Sequence, residues 1–298
     1  MNTLSVSSAF ILPSCKTRLT SAMTLVVWVI AHELDRRRIP PNVQDAVWLE
    51  IPSKTMRGGD NARDDNHHLR RVLDDLLGVQ LSGEYRGDPW GAVLVAEWHI
   101  EQGGAVTRIL VPPAAIRACR TPNTFAQIET YAAHTLTGYA KRLYGDLADK
   151  KRLGNPYWIY DLPELWRVLD VEEKKSYHRF NNLRSKILIP TIKEINDFGT
   201  VHVTMTPIKL ARAVSQVRFD WTWKTLDQAR VTDEENQQPK AARHMDRKIG
   251  SAPPLTEQDQ REVEIEADKA RYRAWLEENP KGSFMEYINQ TSPNVTNR

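Results

Sequence analysis

The chain has 298 residues, of which 27% are charged and 41% hydrophobic, and its formal net charge is only +3. This composition is typical of a globular protein that is long enough for two modest domains. The weak net charge excludes a strong overall basic field, so any interaction with a polyanion would depend on local basic surfaces.

The cysteines and the apolar runs favour a cytoplasmic protein without a membrane partner. Cys15 and Cys119 are too few for a disulfide framework or a zinc cluster, so a reducing environment is expected. The most apolar run, residues 23–31, has about half of the roughly 20 residues that a membrane span needs. His32 and Glu33 follow it directly, which favours a buried helix.

The first half of the chain is predicted to form a helix, a short strand, another helix and a β-hairpin. An apolar helical pattern covers about residues 16–38 and ends at two prolines, and the short apolar piece VWLEIP follows. The next helix candidate is DDNHHLRRVLDDLLG, in which Asp64 or Asp65 would cap the start. Two strand-like runs, GAVLVAEWHIE and AVTRILVP, flank Gly103 and Gly104, which is a strong hairpin signal.

The second half repeats this order. NTFAQIETYAAHTLTGYAKRLYGDLADKK predicts a long helix from about Asn123, because its apolar residues form an approximate face. YWIYDLPELWRVLDV predicts a short strand and then a short helix. Residues 176–196 predict a third helix, and a hairpin follows, made of the strand VHVTM, the loop PIKLAR and the strand VSQVRFDWTW.

Helix, short strand, helix, helix and two-stranded hairpin is the order of a winged helix-turn-helix domain. The fold class is therefore predicted to be α+β, with two tandem winged helix-turn-helix domains and a mostly polar C-terminal tail that contains one helix. We place an N-terminal domain at residues 1–121, a C-terminal domain at residues 122–225, and a linker with the tail helix at residues 226–298.

The third helix of the second unit, SYHRFNNLRSKILIPTIKEIN, is called the basic helix here. Between positions 174 and 193 the chain has six Lys or Arg residues and no acid, alongside an apolar stripe at helical spacing. In a helix-turn-helix domain, one face of this helix packs on the first two helices and the other face enters the DNA major groove. A solvated surface helix would show the same charge pattern, but the hairpin directly behind it favours DNA binding.

The residues opposite the apolar stripe are of the types that contact DNA. Arg and Lys pair with guanine and Asn with adenine, while Ser contacts bases or phosphates. Arg184 falls inside the apolar arc, and Pro190 is expected to kink the helix or to begin a new turn. Cations in the hairpin loop would meet phosphates. The candidate residues of the basic helix are His178, Asn182, Ser185, Lys186 and Lys193 opposite the stripe and Arg179 to one side of it, and those of the hairpin are Lys209 and Arg212.

The corresponding helix of the first unit carries a weaker signal. His67, His68, Arg70 and Arg71 are candidate groove or phosphate contacts. Four aspartates of the same segment offset its arginines, so a solvated face is an equally good interpretation. We keep His68, Arg70 and Arg71 as auxiliary DNA contacts.

Motifs that would indicate catalysis are missing from the sequence. No phosphate-binding loop of the type G-x-x-x-x-G-K-[ST] occurs, and HELDR at His32 lacks the second histidine of a zinc protease helix. WHIE and VHVTM each contain one histidine, whereas a rolling-circle nickase needs a metal-binding pair. The sequence therefore predicts no enzyme, no metal site and no cofactor.

Four segments resemble the second half of the iteron-binding plasmid replication initiator (Rep) proteins in order and spacing. They are YAKRLYGDL, YWIYDLPELWRVLDV, SYHRFNNLRSKILIPTIKEIN and VRFDWTW, and the resemblance covers about residues 125–223. The most specific pieces are Arg142-Leu143-Tyr144 and the KEIN sequence at residues 193–196. The first half of the chain matches in plan rather than in residues.

The resemblance implies an initiator that binds double-stranded DNA as a monomer at direct repeats (iterons), helps to open an adjacent AT-rich region, and recruits the host helicase and host initiator. It also implies a homodimer, joined through the N-terminal domain, that represses its own gene. A tandem winged-helix repressor without a replication role stays open, and it would bind one inverted repeat at a promoter. Carried onto matching positions, the major-groove readers would be Arg179, Asn182, Arg184, Ser185 and Lys186.

Overall fold

The computed structural model describes most of the first 225 residues and only residues 228, 231 and 232 of the tail. The described residues belong to one compact unit, Met1–Lys240, and the second unit, Ala241–Arg298, lies outside them. The helix that the sequence predicts in the polar tail therefore lies outside the described residues. The structure describes residues 3–15, 17–58, 66–85, 88–121, 124–151, 153–211, 213–225, 228 and 231–232.

The chain begins with two elements for which the sequence analysis made no prediction. Strand β1 (Thr3–Ser7) and the short helix α1 (Ser8–Ile11) precede the first long helix, α2 (Ser21–Arg36). Helix α2 begins later than predicted, because the Thr20 side chain accepts the N–H of Met23 at 3.3 Å and so caps the helix start. Most of α2 is buried, as expected for a helix that is apolar on nearly all sides.

The first winged-helix order is present, and its sheet has the strand order β2-β6-β5 with antiparallel pairs. The predicted hairpin at Gly103 and Gly104 is confirmed, with a 3-10 turn at Gln102–Gly104 between β5 and β6. The elements are β2 (Val47–Pro52), α3 (Ser53–Arg57), α4 (His67–Leu77), β3 (Gln80–Tyr85), β4 (Asp88–Val93), β5 (Glu97–Glu101), β6 (Val106–Val111) and α5 (Pro113–Arg120).

One predicted strand of the first domain is wrong. The run GAVLVAEWHIE is divided between β4, which pairs with β3, and β5, which pairs with β6. The break falls at Leu94 and Val95, which are both buried. Two consecutive buried residues do not fit a strand with one wet face, because successive side chains of a strand point to opposite sides. Helix α5 was also not predicted.

The second winged-helix order is present as well, and its sheet has the order β8-β10-β9 with antiparallel pairs. The α+β class and the tandem winged-helix order are thus confirmed. The elements are β7 (Phe125–Glu129), α6 (Thr130–Thr135), α7 (Gly138–Lys151), β8 (Tyr157–Asp161), α8 (Leu162–Leu169), α9 (Phe180–Leu183), α10 (Ile189–Phe198), β9 (Val201–Leu210) and β10 (Ala213–Trp223).

The long helix predicted from about Asn123 is wrong. Its first part is strand β7, which pairs antiparallel with β1 from Ser7↔Phe125 to Thr3↔Glu129. Ala126 and Ile128 are fully buried and alternate with less buried neighbours, so FAQIE also has the two-residue period of a strand. A partner strand more than a hundred residues away selects the extended form.

Helices α2 and α7 cross closely inside one core. A Cβ atom added at Gly145 on α7 would lie 2.7 Å from the ring of Trp28 on α2, so the crossing requires glycine. Trp28 donates from Nε1 to the carbonyl of Ile11 at 3.3 Å, and the buried Lys141 donates from Nζ to the carbonyl of Ser21 at 3.1 Å. The two halves of Met1–Lys240 therefore share a core, and the boundary between residues 121 and 122 stays a prediction.

Candidate nucleic-acid interface

The predicted start of the basic helix at Ser176 is wrong, because Lys175–His178 form a separate 3-10 turn and Arg179 is the extended N-cap residue. The helix itself is continuous over residues 180–198 and contains a π turn. Helices α9 and α10 flank the wide turn Arg184–Leu188, in which the N–H of Ile189 bonds to the carbonyl of Arg184, five residues back. In a regular helix, the ring of Pro190 would clash with the carbonyl four residues earlier. That carbonyl belongs to Lys186 in the π turn. The wider turn of the backbone therefore coincides with the position at which Pro190 would clash in a regular helix.

The core residues of the basic helix are spaced for this π turn. Leu183, Ile187, Thr191 and Ile195 are all buried and recur at every fourth residue. On a regular α-helix with 3.6 residues per turn, this spacing drifts by about 40° per turn and by roughly 120° over three turns. One extra residue in a π turn absorbs about 100° of that drift. The buried face therefore stays aligned along the whole helix.

The opposite face of the basic helix is exposed and cationic. Arg179, Ser185, Lys186 and Lys193 are all exposed. Within the described part of the chain, no carboxylate forms an ion pair with Arg179, Lys186 or Lys193. Arg184 is half-buried, in agreement with its position inside the apolar arc. The structure thus brings the predicted cations of this helix to one surface.

Two predicted base-contacting residues and a histidine also make local bonds. Asn182 is half-buried and donates from Nδ2 to the carbonyl of Ser176 at 3.0 Å, and Ser185 donates from Oγ to the carbonyl of Asn181 at 2.8 Å. The ring of His178 stacks on Trp166 with centroids 4.3 Å apart. These contacts order the N-terminal end of the basic helix, and they leave oxygen acceptors on Asn182 and Ser185 for a ligand.

The KEIN residues hold the basic helix to its neighbours. Glu194 accepts the backbone N–H of Thr137 at 2.7 Å and its hydroxyl at 3.0 Å, directly before α7. Asn196 accepts the N–H of Val203 at 2.6 Å and donates to its carbonyl at 2.9 Å, which ties the helix to β9. Ile195 is fully buried. The bonds of Glu194 and Asn196 depend on the fold. The sequence shows only that both polar residues adjoin Ile195, a position of the apolar stripe.

Arg142 and Tyr144 of the RLY sequence form hydrogen bonds inside the second domain. Arg142 donates from Nε to the carbonyl of Val168 at 2.8 Å, near the end of α8. Tyr144 is buried and donates its hydroxyl proton to Glu129, which also bonds to Thr200 at the start of the hairpin. Burial raises the pKa of Tyr144 well above its ordinary value, and the neighbouring carboxylate adds to the rise. Tyr144 therefore stays a neutral donor.

The hairpin β9–β10, called the wing here, is longer and tighter than the sequence suggests. The predicted loop PIKLAR is wrong, because β9 extends to Leu210 and only residues 211 and 212 connect the strands. Pro207 is tolerated because β9 is an edge strand, whose outer side needs no N–H donor. Lys209 is exposed near the tip, and Arg212 lies outside the described residues.

The candidate contacts of the first domain lie on α4. His68, Arg70 and Arg71 are exposed there, and a guanidinium nitrogen of Arg71 lies 3.1 Å from Nδ1 of His67. Asn66 precedes the helix and donates from Nδ2 to the carbonyl of Gly104 at 2.9 Å, which links α4 to the β5–β6 turn. The proposed caps Asp64 and Asp65 lie outside the described residues.

The described residues contain neither a candidate metal site nor a candidate membrane-spanning helix. Among the described residues, no group of three or more His, Cys, Asp and Glu side chains could hold a metal ion. No described helix combines the length and the apolar character that crossing a membrane requires.

The second winged-helix domain matches a known family. Residues 161–221 match the family model described as initiator Rep protein, WH2. They contain α8, the basic helix and nearly the whole wing. No curated protein sequence gives a significant match to the chain.

Two solved structures align with this chain at low sequence identity. The Pi initiator protein, crystallised in complex with iteron DNA, aligns with a TM-score of 0.50 and 11% identity over 74% of this chain and 97% of that chain. Domains 2 and 3 of RctB, solved as selenomethionine derivatives, align with a TM-score of 0.41 and 12% identity over 70% of this chain and 83% of that chain. The second winged-helix domain is thus similar in sequence to the initiator Rep protein WH2 model over residues 161–221, and the alignment with the Pi initiator shows a similar fold over most of the chain.

Proposed function

We propose that the chain is a plasmid replication initiator that binds direct repeats (iterons) at an origin. One observation carries the proposal: the region that matches the initiator WH2 model contains the basic helix, whose exposed Arg179, Lys186 and Lys193 have no ion-pair partner among the described residues. The similarly folded Pi initiator was crystallised with iteron DNA, which supports the same class of ligand for this chain.

The proposed action is binding rather than catalysis. The basic helix enters the major groove, where Arg179 and Lys186 pair with guanine or contact phosphates. Lys209 on the wing contacts phosphates beside this groove, and His68, Arg70 and Arg71 add auxiliary contacts from α4. Because neutralised phosphates release counterions, affinity falls steeply with salt. Binding then helps to open an adjacent AT-rich region.

The proposal extends to partners and regulation through the family resemblance. Monomers bind the repeats and recruit the host helicase and the host initiator in the cytoplasm. A homodimer, in equilibrium with the monomer and joined through the first domain, represses the protein's own gene at an operator. The net charge of +3 is too small for strong non-specific binding to nucleic acid, so DNA binding would depend on the local basic surfaces.

The experiment that tests the proposal is selection of bound duplexes from a random DNA pool by the full chain. We expect a specific site that recurs as direct repeats in the natural plasmid. Lys186→Ala should weaken binding by about 1–3 kcal/mol and relax one position if Lys186 reads a base. If it contacts phosphate instead, the variant should lower the salt slope by about 0.9. Arg117→Ala, at an exposed arginine of α5, is the matched control.

The selected site separates initiation from its main alternative. A single palindrome at a promoter would favour a tandem winged-helix repressor without a replication role. A pool that shows no enrichment would contradict both functions and leave the basic helix as a solvated surface. An unchanged site and affinity for Lys186→Ala would remove that residue from the interface.

A further inference from the structure

The tip of the wing extends beyond the rest of its sheet. Strand β8 pairs only with the part of β10 from Gln216 to Asp220. Towards the tip, β9 and β10 continue as a two-stranded ribbon up to the pair Leu210↔Ala213, past a β-bulge between Val214 and Gln216. Ala211 then has a φ of +57°, which a non-glycine residue adopts mainly in tight turns. The ribbon therefore presents a narrow tip.

An apolar side chain occupies this tip. Leu210 is 75% exposed, the highest value among the large hydrophobic side chains in the described part of the chain. Leaving a leucine in water forgoes roughly 1.5–3 kcal/mol of burial free energy. Leu210 is the last residue of β9 and pairs with Ala213, so it lies directly before the two-residue turn. The residue before Leu210, Lys209, is cationic.

An apolar tip beside an exposed cation fits the minor groove of DNA. Phosphates line the edges of that groove, and one of them would pair with Lys209. Between the edges, a base-pair step accepts an apolar wedge such as leucine, which partly unstacks the step and kinks the duplex by about 20–90°. A purely polar partner surface would leave Leu210 without an apolar contact, and a purely apolar one would leave Lys209 without a counter-charge.

The wing is held so that its tip can reach this groove. The two bonds between Asn196 and Val203 fix the base of β9 to the end of the basic helix. Leu210 lies seven residues beyond Val203, or roughly 23 Å at about 3.3 Å per residue. The neighbouring minor groove is about half of the roughly 34 Å helical repeat, or about 17 Å, from the occupied major groove.

We propose that Leu210 is a wedge that enters the minor groove beside the segment bound by the basic helix and kinks the base-pair step there. This inference rests on the proposed function, because the basic helix must occupy the major groove. It adds a mechanical step, since the bend strains the duplex next to the bound repeat.

The test measures the bend of the selected site by gel mobility of circularly permuted duplexes, with the full chain and two variants at the tip. Leu210→Ala and Leu210→Asn should each reduce the bend angle by at least about half, because neither side chain can wedge a step. Leu210 is exposed, so both variants should unfold at the same temperature as the parent.

Lys209→Ala is the matched control on the neighbouring residue. We expect it to lower the affinity and the salt slope while the bend stays, because a phosphate contact does not unstack bases. Equal bends for the parent and both Leu210 variants would overturn the wedge and leave the initiator proposal standing. If the parent selects no site at all, the proposed function fails and the wedge fails with it.

Discussion

At the scale of single residues, polar side chains determine how the basic helix sits in its domain. Glu194 bonds to Thr137 at the start of α7, and Asn196 bonds twice to Val203 in the wing. Both residues lie in the KEIN sequence, which contributed to the family resemblance. Their role could not be derived from spacing, because each bond joins positions that only the folded chain brings together.

Removing the Asn196 side chain should loosen the wing from the basic helix. Asn196→Ala leaves the N–H and the carbonyl of the buried Val203 without these partners, which should lower the free energy of unfolding by about 1–3 kcal/mol. Urea denaturation measures this change. DNA affinity should fall as well, since the wing no longer holds one orientation.

Asn181→Ala provides the control for this measurement. Asn181 is an exposed asparagine of the same helix, so its replacement should change the free energy of unfolding by less than about 0.5 kcal/mol. Equal stability of the two variants would show that the bonds of Asn196 do not hold the wing.

At the scale of elements, the sequence predicted most helices and strands, and its errors have physical causes. The π turn could not be predicted, because the apolar residues of the basic helix fit a regular helix and only the folded chain shows that the polar Thr191 is buried in line with Leu183, Ile187 and Ile195. Strand β7 could not be predicted either, because FAQIE fits both the helical and the strand period, and only its pairing with β1 selects the strand. Cations on the basic helix were predictable because they oppose the apolar stripe.

Deleting one residue inside the π turn should be tolerated, whereas a deletion in α10 should not. A π turn contains one residue more than the α turn that would replace it, so removing the exposed Ser185 can leave both flanking segments in phase. Removing the exposed Lys193 instead rotates the following residues, including Asn196, by about 100°.

Thermal unfolding followed by circular dichroism distinguishes these two deletions. We expect the chain without Ser185 to keep a cooperative transition within a few degrees of the parent, and the chain without Lys193 to lose stability by at least about 2 kcal/mol. If both deletions destabilise equally, the π turn does not set the helical phase.

At the scale of the whole molecule, the crossing of α2 and α7 joins the two winged-helix orders. The ring of Trp28 occupies the space where a side chain at Gly145 would be. Gly145→Ala should therefore force these helices apart and lower the free energy of unfolding by about 1–3 kcal/mol, although alanine is the better helix former.

A second glycine substitution controls for the added methyl group. At Gly91 in β4, an added Cβ would meet its nearest neighbour, the carbonyl oxygen of Leu81, at an ordinary 3.6 Å. We expect Gly91→Ala to change the unfolding midpoint in urea far less than Gly145→Ala. A Gly145→Ala protein as stable as the parent would mean that the crossing has room to relax.

The pairing of β1 with β7 has a consequence for the order in which the protein is made. Thr3–Ser7 is translated more than a hundred residues before its partner Phe125–Glu129. At about 5–20 residues per second, the first strand waits roughly 6–25 s with its backbone donors and acceptors unpaired. During that interval the nascent chain is exposed to pairing with another nascent chain, so ribosome pausing before residue 125 should increase aggregation.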